Sequence, residues 1–114
     1  MPENQYLNFI NYQRAEPLNA HIGKDPVAAF VATFILFEWE RSEITFKDEK
    51  ACCPTQHEIA CAIGISIATV RRKTAKLVEL GLIHTKLGRW VNGSTRLYFK
   101  VTDLFLSLVL ETGL

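Results

Sequence analysis

The residues with the clearest chemical potential are basic side chains concentrated in one segment. Residues 67–100 contain eight Lys or Arg and a single acidic residue, Glu79. The rest of the chain has five basic and eleven acidic residues, so the formal net charge of +1 conceals a polarised sequence. Clustered Lys and Arg raise the local positive potential and displace counterions from phosphates. The pattern favours a segment that binds a polyanion, with a solvated basic face as the alternative.

Three cysteines and a histidine form a second candidate group. His57 and Cys61 are spaced one helical turn apart, and a tetrahedral zinc site needs four N or S ligands, but the adjacent Cys52 and Cys53 fit that geometry poorly. Free cysteine is common in protein cores. An odd number of cysteines and an N-terminus without a secretory pattern favour reduced thiols in a cytoplasmic protein. We therefore expect no metal and no cofactor, and keep a redox- or zinc-sensing repressor as an alternative.

No enzyme motif is present in the sequence. It contains no Gly-rich phosphate loop, no nucleophile elbow, no HExxH and no close pair of carboxylates at a predicted pocket. The apolar stretch at residues 27–37 is shorter than the roughly 18 to 20 residues that cross a bilayer. The 114 residues fit one domain. We expect a single non-enzymatic domain with no membrane span and no small-molecule substrate.

Local signals predict the first half of the fold. Asp25-Pro26 is a favourable helix start, because Asp accepts from unpaired amides and Pro is preset at the first helical position. The helix that follows, residues 27–40, is apolar almost all round and is predicted to be central in the core. Residues 44–46 are a short strand candidate, and a charged loop is expected through Lys50.

Two short helices joined by a tight turn come next. Thr55-Gln56-His57-Glu58 is a capping box that opens a helix to about residue 63. The turn contains Gly64, and Ser66 caps a second helix over residues 67–80, which Gly81 ends. This arrangement predicts a helix-turn-helix.

The last third of the chain alternates like a β-hairpin. Residues 82–91 and 94–101 are predicted strands, and a three-residue loop with Gly93 in the left-handed region sets Leu87 opposite Leu97. In that register two faces are expected. The inward face comprises Ile83, Leu87, Leu97, Phe99 and Val101, and the outward face comprises Lys86, Trp90, Arg96, Tyr98 and Lys100. A final apolar helix follows from Asp103 to Glu111.

The order of these elements is that of a winged helix. The run from Pro54 to Ala60, the segments Ile63-Gly64-Ile65-Ser66 and Thr69-Val70-Arg71-Arg72, and Gly81-Leu82-Ile83 resemble bacterial winged-helix DNA-binding domains. Residues 27–39 and 94–101 more narrowly resemble the N-terminal module of phage and plasmid replication proteins. The resemblance spans about residues 20 to 102. It departs from the pattern at Thr74, where such families usually have Leu, and at Ile67, where they often have a polar residue.

The predicted fold class is therefore α+β, mostly α, a winged helix-turn-helix with a three-helix core, a β-hairpin wing and a C-terminal helix. The chain is divided into an N-terminal extension (1–24), the winged-helix domain (25–102) and the C-terminal helix (103–114). The resemblance implies a replication-associated or transcription-regulatory protein of a plasmid or phage.

The predicted partner is double-stranded DNA, bound by a recognition helix and a basic wing. Arginine forks match the O6 and N7 acceptors of guanine, so Arg71 and Arg72 are the expected base contacts, whereas Lys73 and Lys76 are expected at phosphates. The start of the preceding helix is a candidate phosphate seat. The full set of predicted contacts is Thr55, Gln56, His57, Ser66, Ala68, Thr69, Arg71, Arg72, Lys73, Lys76, Arg89, Trp90 and Arg96.

An alternative use of the same fold is a protein-interaction module without DNA binding. The apolar last helix and Trp90 would then form the interface, and the fold alone does not decide between these functions. For a DNA-binding protein the last helix also offers a surface for a homodimer, because two-fold pairing enlarges the DNA footprint beyond one half-site.

Overall fold

The computed structural model describes residues 18–110. Its first long helix, α1 (Pro26–Arg41), begins as the sequence predicts: Oδ1 of Asp25 accepts from the amide of Ala28 at 3.1 Å, and Pro26 occupies the first turn. The helix is central because seven of its apolar side chains are buried, including Val31, Ile35 and Leu36 at 0% exposure.

A small hairpin follows α1 where only one strand was expected. Strand β1 (Thr45–Phe46) pairs antiparallel with β2 (Glu49–Lys50), so the prediction of a charged loop through Lys50 is wrong for these residues. The connection is a two-residue turn in which both Lys47 (φ 54°) and Asp48 (φ 65°) have positive φ. This backbone matches the twist of the paired strands, although neither residue is the glycine that usually marks such a turn.

The predicted helix-turn-helix is confirmed. Helix α2 (Gln56–Ile63) opens with both bonds of the capping box, and helix α3 (Ile67–Glu79) is capped by Ser66, whose hydroxyl accepts from the Thr69 amide at 3.1 Å. Gly64, at φ 82°, forms the turn between the helices, and Gly81, at φ 76°, follows the end of α3. Both positions need a left-handed backbone that glycine adopts without steric cost.

The wing has the predicted register. Strands β3 (Ile83–Arg89) and β4 (Thr95–Val101) pair antiparallel, with Leu87 opposite Leu97. The loop at residues 91–93 is closed by a bond from the Trp90 amide to the Ser94 carbonyl at 2.7 Å, and Gly93 has φ 88°. Helix α4 (Asp103–Leu110) follows β4.

The predicted faces of the wing are partly wrong. Tyr98, expected outward, is 5% exposed, and Leu87, expected inward, is 70% exposed. The outward face is covered by the β1–β2 hairpin, since Phe46 stacks on Tyr98 with ring centroids 4.6 Å apart. Ile83 and Phe99 are buried at the base of the wing, where the helices pack against it. Leu87 lies closer to the tip of the wing and is not covered. The other predicted outward residues divide: Lys86 is exposed, and Trp90, Arg96 and Lys100 are half-buried.

The main core joins all the helices to the base of the wing. It contains Leu36, Ile59, Leu77 and Phe99, together with Phe105 of α4. The segment after β2 is attached to the wing because Cys52 and Phe99 exchange two backbone hydrogen bonds. A second, smaller cluster of Ala51, Cys53 and Tyr98 lies under the hairpin.

Residues 18–22 are helical and belong to this core, since Leu18 is 0% and Ile22 3% exposed. The sequence indicated no such contribution from the N-terminal segment. The end of the last helix, predicted at Glu111, lies outside the described residues. Within residues 18–110 no helix is both long and apolar enough to cross a membrane. The element order, the helix-turn-helix and the wing make this a winged-helix fold, as predicted.

Candidate nucleic-acid interface

The first half of α3 presents the predicted recognition surface. Four of the five side chains expected outward are exposed, namely Ser66, Ala68, Arg71 and Arg72, and Thr69 is half-buried. The opposite side of the helix holds Val70, Thr74 and Leu77 in the core. Packing of these three residues fixes which side of α3 faces outward.

The two arginines of this surface are held by different acceptors. Nε of Arg71 donates to Oε1 of Gln56, the first residue of α2, at 3.0 Å. Nη2 of Arg72 donates to the hydroxyl of Thr69, one turn back on the same helix, at 3.2 Å. Arg71 is therefore positioned by the neighbouring helix, whereas Arg72 is positioned only by its own.

The two lysines of α3 point to α1 and form ion pairs there. Nζ of Lys73 lies 2.8 Å and Nζ of Lys76 lies 3.0 Å from the same carboxylate oxygen of Asp25. The hydrogen bond from Lys73 is the largest cause that holds the pKa of Asp25 well below its usual range; burial opposes it, and the Ala28 amide and Lys76 add to it. The expected phosphate contacts would therefore have to compete with an existing ion pair.

At the start of α2, where a phosphate seat was predicted, both bonds of the capping box are formed. The Thr55 hydroxyl accepts from the Glu58 amide at 3.0 Å, and the Glu58 carboxylate accepts from the Thr55 amide at 2.7 Å. The negative charge of Glu58 at this helix start would weaken the binding of a phosphate there. His57 is exposed, with Nε2 3.5 Å from Sγ of Cys61.

Two basic residues of the wing are exposed, and two others are half-buried and bonded to neighbouring groups. Arg89 and Lys86 are exposed. Arg96 donates to the carbonyl of Cys53 at 3.0 Å and lies 4.6 Å above the ring of the half-buried Trp90. Nζ of Lys100 lies 2.9 Å from the Glu49 carboxylate. This hydrogen bond is the largest cause that lowers the pKa of Glu49. Lys86 was not among the predicted contacts, although its place in the alternating strand pointed to an exposed side chain.

A groove connects the helix-turn-helix with the wing. It has a volume of about 300 Å³, and its lining residues are Pro54, Thr55, Gln56, Leu87, Thr95, Arg96 and Leu97. Gln56 places Arg71 beside this groove. Arg89 points to the same face of the wing as Leu87, because the two are separated by one residue on β3. Arg96 is the basic residue that lines the groove, while Arg71 contacts its lining through Gln56 and Arg89 is paired with the lining residue Thr95.

The three cysteines lie in two kinds of environment. Cys52 and Cys53 are buried and Cys61 is exposed. Burial raises the pKa of the Cys52 thiol to about 12, and burial also raises that of Cys53. Buried thiols of high pKa are poor nucleophiles and poor metal ligands. Among residues 18–110, no three His, Cys, Asp or Glu side chains come together as a metal site.

The fold is similar to that of a possible transcriptional regulator from Methanosarcina mazei Go1. The similarity has a TM-score of 0.56 and covers 85% of this chain and 73% of that chain, at 12% sequence identity. At this identity the likeness shows the fold alone. No family model and no curated protein matches the chain.

Proposed function

We propose that this protein binds double-stranded DNA through α3 and the wing and acts as a regulator. The observation that carries the proposal is the groove between α2 and the wing, since its lining residue Gln56 holds Arg71 and its lining residue Thr95 is paired with Arg89. A basic helix beside a basic wing is complementary to a duplex, whose grooves are bordered by phosphates.

In this arrangement the N-terminal half of α3 enters the major groove. Ser66, Ala68 and Thr69 are close to the base edges because the recognition helix inserts by its N-terminus. Arg71 and Arg72 extend from the next turn, and Arg89 reaches the flanking backbone. Lys73 and Lys76 contribute mainly by fixing α3 on α1, and Arg96 mainly by tying the wing to the Cys53 carbonyl.

Transcriptional regulation is the role that we propose, because the similar structure is described as a possible transcriptional regulator. Association with replication of a plasmid or phage stays a prediction from the sequence resemblance. The division of the chain at residues 24 and 102 is likewise a proposal, and the burial of Leu18 and Ile22 supports moving the first boundary toward the N-terminus.

The test is fluorescence anisotropy with labelled random duplexes at low salt, followed by selection of bound sites. The variant R71Q/R72Q removes two positive charges from the proposed surface. Its control, K47Q/K50Q, removes two from the β1–β2 hairpin, which covers the other face of the wing. We expect R71Q/R72Q to weaken binding at least tenfold and K47Q/K50Q less than threefold. Equal effects of the two variants, or no binding by the wild type, would contradict the proposal.

An interaction module is the second candidate, and one exposed apolar residue favours it. Leu104 on α4 is 41% exposed and lies beside Gly81, where α3 ends. A homodimer through α4 would bury this side chain. Sedimentation equilibrium of the wild type and of L104K decides: a dimer that L104K dissociates supports pairing through α4, and a wild-type monomer argues against it.

A further inference from the structure

The contact between Gln56 and Arg71 joins the two helices of the helix-turn-helix. Gln56 is half-buried and Arg71 is exposed, and their hydrogen bond of 3.0 Å spans fifteen residues of sequence. Within residues 18–110 it is the one polar side-chain contact of Arg71. The bond therefore fixes a long surface side chain that would otherwise sample many rotamers.

The atom that Gln56 engages determines what Arg71 has left to offer. A guanidinium has five N–H donors, of which Nε carries one. With Nε bound to Gln56, the four donors on the two terminal nitrogens have no partner among the side chains and carbonyls of residues 18–110. That end matches the O6 and N7 acceptors of guanine as a bidentate pair.

Arg72 is held in a different way, although it is the next residue. Its Nη2 donates to Thr69 at 3.2 Å, so one of the two terminal nitrogens is already engaged. Nη2 keeps a second N–H, but the bond to Thr69 sets its direction, so an end-on contact with a base is restricted to that one orientation. A single donor toward a phosphate does not need the whole fork.

We infer that Gln56 is a positioning residue that presents Arg71 as the guanine-specific contact of the recognition helix, whereas Arg72 contacts the DNA backbone. The inference rests on the proposed function, which it deepens by separating two arginines of equal charge. Ordering a flexible side chain before binding lowers the entropic cost of forming the complex.

The experiment compares two duplexes that differ by one guanine–cytosine pair at the site that selection assigns to α3. A good bidentate contact discriminates by about 1–3 kcal/mol, or roughly five- to 150-fold in affinity. R71K keeps the charge but loses the fork, so the affinity ratio of the two duplexes falls toward one. R72K changes neither the affinity ratio of the two duplexes nor which of them is preferred. A phosphate contact needs the positive charge, which Lys keeps, and does not need the two-pronged guanidinium.

Gln56 is tested by removing or keeping its acceptor oxygen. Q56L, which has no acceptor, lowers the affinity ratio severalfold. Q56E keeps the acceptor and retains the ratio, even though its negative charge lowers the affinity for both duplexes. Thermal midpoints of all four variants show whether each is folded. NMR of the Nε–H group of Arg71 in the free protein adds a readout without DNA: its order parameter falls in Q56L and is kept in Q56E.

Each outcome bears on a different statement. A ratio that falls in R72K and not in R71K would overturn the assignment of the two arginines. A ratio and an order parameter unchanged in Q56L would overturn the positioning role. A wild type that binds duplexes without preference for any guanine overturns this inference and leaves the proposed function standing, whereas a wild type that binds no duplex overturns both.

Discussion

At the scale of single residues, Asp25 has two structural functions. Its Oδ1 caps α1, and its Oδ2 pairs with Lys73 and Lys76 of α3. The side chain of Asp25 is 16% exposed and that of Lys73 is 21% exposed, so water screens the nearer pair less than it screens a pair on an open surface. The residue thereby fixes the recognition helix on the central helix of the core.

The variant D25N isolates the charge, because Asn caps helices about as well as Asp. We expect it to lower the free energy of unfolding at pH 7 by about 1–2 kcal/mol, because hydrogen bonds to charged groups contribute about 1.5–3 kcal/mol and partial exposure reduces that contribution. Since the pKa of Asp25 lies below its ordinary 3.8 in the folded state, its stabilising effect is complete above that pH. As pH falls below 3.8, the unfolded state takes up the proton first and the effect is lost.

Urea unfolding at a series of pH values measures this difference. The gap between wild type and D25N is expected to be constant above about pH 5 and to shrink as the solution becomes more acidic. A gap that grows on acidification, or that is absent at pH 7, would show that the ion pairs do not stabilise the fold.

Thr74 carries a buried hydroxyl whose Oγ1 has no hydrogen-bond partner among the described residues. The residue is 7% exposed, on the core side of α3. Burying an unpaired polar group is unfavourable, and Val has nearly the same shape, so T74V is expected to stabilise the protein by about 1 kcal/mol. The matched control is T33V, because the buried Thr33 hydroxyl donates to the Ala29 carbonyl at 2.7 Å.

The two valine variants are compared by urea unfolding midpoints. T33V is expected to lose about 1 kcal/mol, since it removes a satisfied hydrogen bond. If T74V raises and T33V lowers the free energy of unfolding, the difference follows from the hydrogen bonding of the two hydroxyls, because the substitutions are chemically identical. Destabilisation by both would mean that the Thr74 hydroxyl finds a partner in solution.

At the scale of elements, the wing and the β1–β2 hairpin depend on a glycine for their close approach. A Cβ built on Gly88 would lie 2.5 Å from Cε2 of Phe46 and 3.0 Å from Cε1 of Tyr98. G88A therefore has to displace the Phe46 ring from its stacking contact. We expect a loss of about 1–3 kcal/mol in the free energy of unfolding, the typical cost of overpacking.

A double-mutant cycle tests this explanation. In an F46A background the space is open, so G88A is expected to cost markedly less than it does in the wild type. If G88A cost the same in both backgrounds, the effect would come from the strand backbone and not from the contact with the hairpin.

Elements with local signals were predictable, and those that depend on distant partners were not. Each of the caps at Asp25, Thr55 and Ser66 depends on residues no more than four positions apart in the sequence. The register of the wing follows from the alternation of side chains on either side of the loop that contains Gly93. Strand β2 was missed because its turn, Lys47-Asp48, has no glycine or asparagine. The faces of the wing were wrong because the hairpin that covers Tyr98 packs there through long-range contacts.

The candidate site shows the same division. Helical spacing predicted that Arg71 and Arg72 are exposed, because Val70 and Leu77 define the buried side of α3. It did not predict which basic residues are already paired, because the acidic partner of Lys73 and Lys76 lies 48 and 51 residues away. Charge counted along a sequence therefore overstates the charge available at a surface.

At the scale of the whole molecule, the eight basic residues of residues 67–100 fall into two sets. Four are exposed: Arg71, Arg72, Lys86 and Arg89. The other four are half-buried and held by Asp25, Glu49 or the Cys53 carbonyl. Among the described residues, Arg71, Arg72 and Arg89 meet phosphates without first breaking an ion pair, whereas Lys86 points to the hairpin side of the wing.

This division predicts the salt dependence of duplex binding. Each neutralised phosphate contributes a slope of about −0.9 to a plot of log affinity against log salt concentration, so Arg71, Arg72 and Arg89 give about −3, whereas all eight basic residues would give about −7. D25N releases Lys73 and Lys76, and its slope is expected to steepen by roughly 1 to 2. Anisotropy titrations over a range of NaCl concentrations measure both slopes. A wild-type slope near −7, or an unchanged slope in D25N, would mean that DNA binding breaks the ion pairs of the free protein.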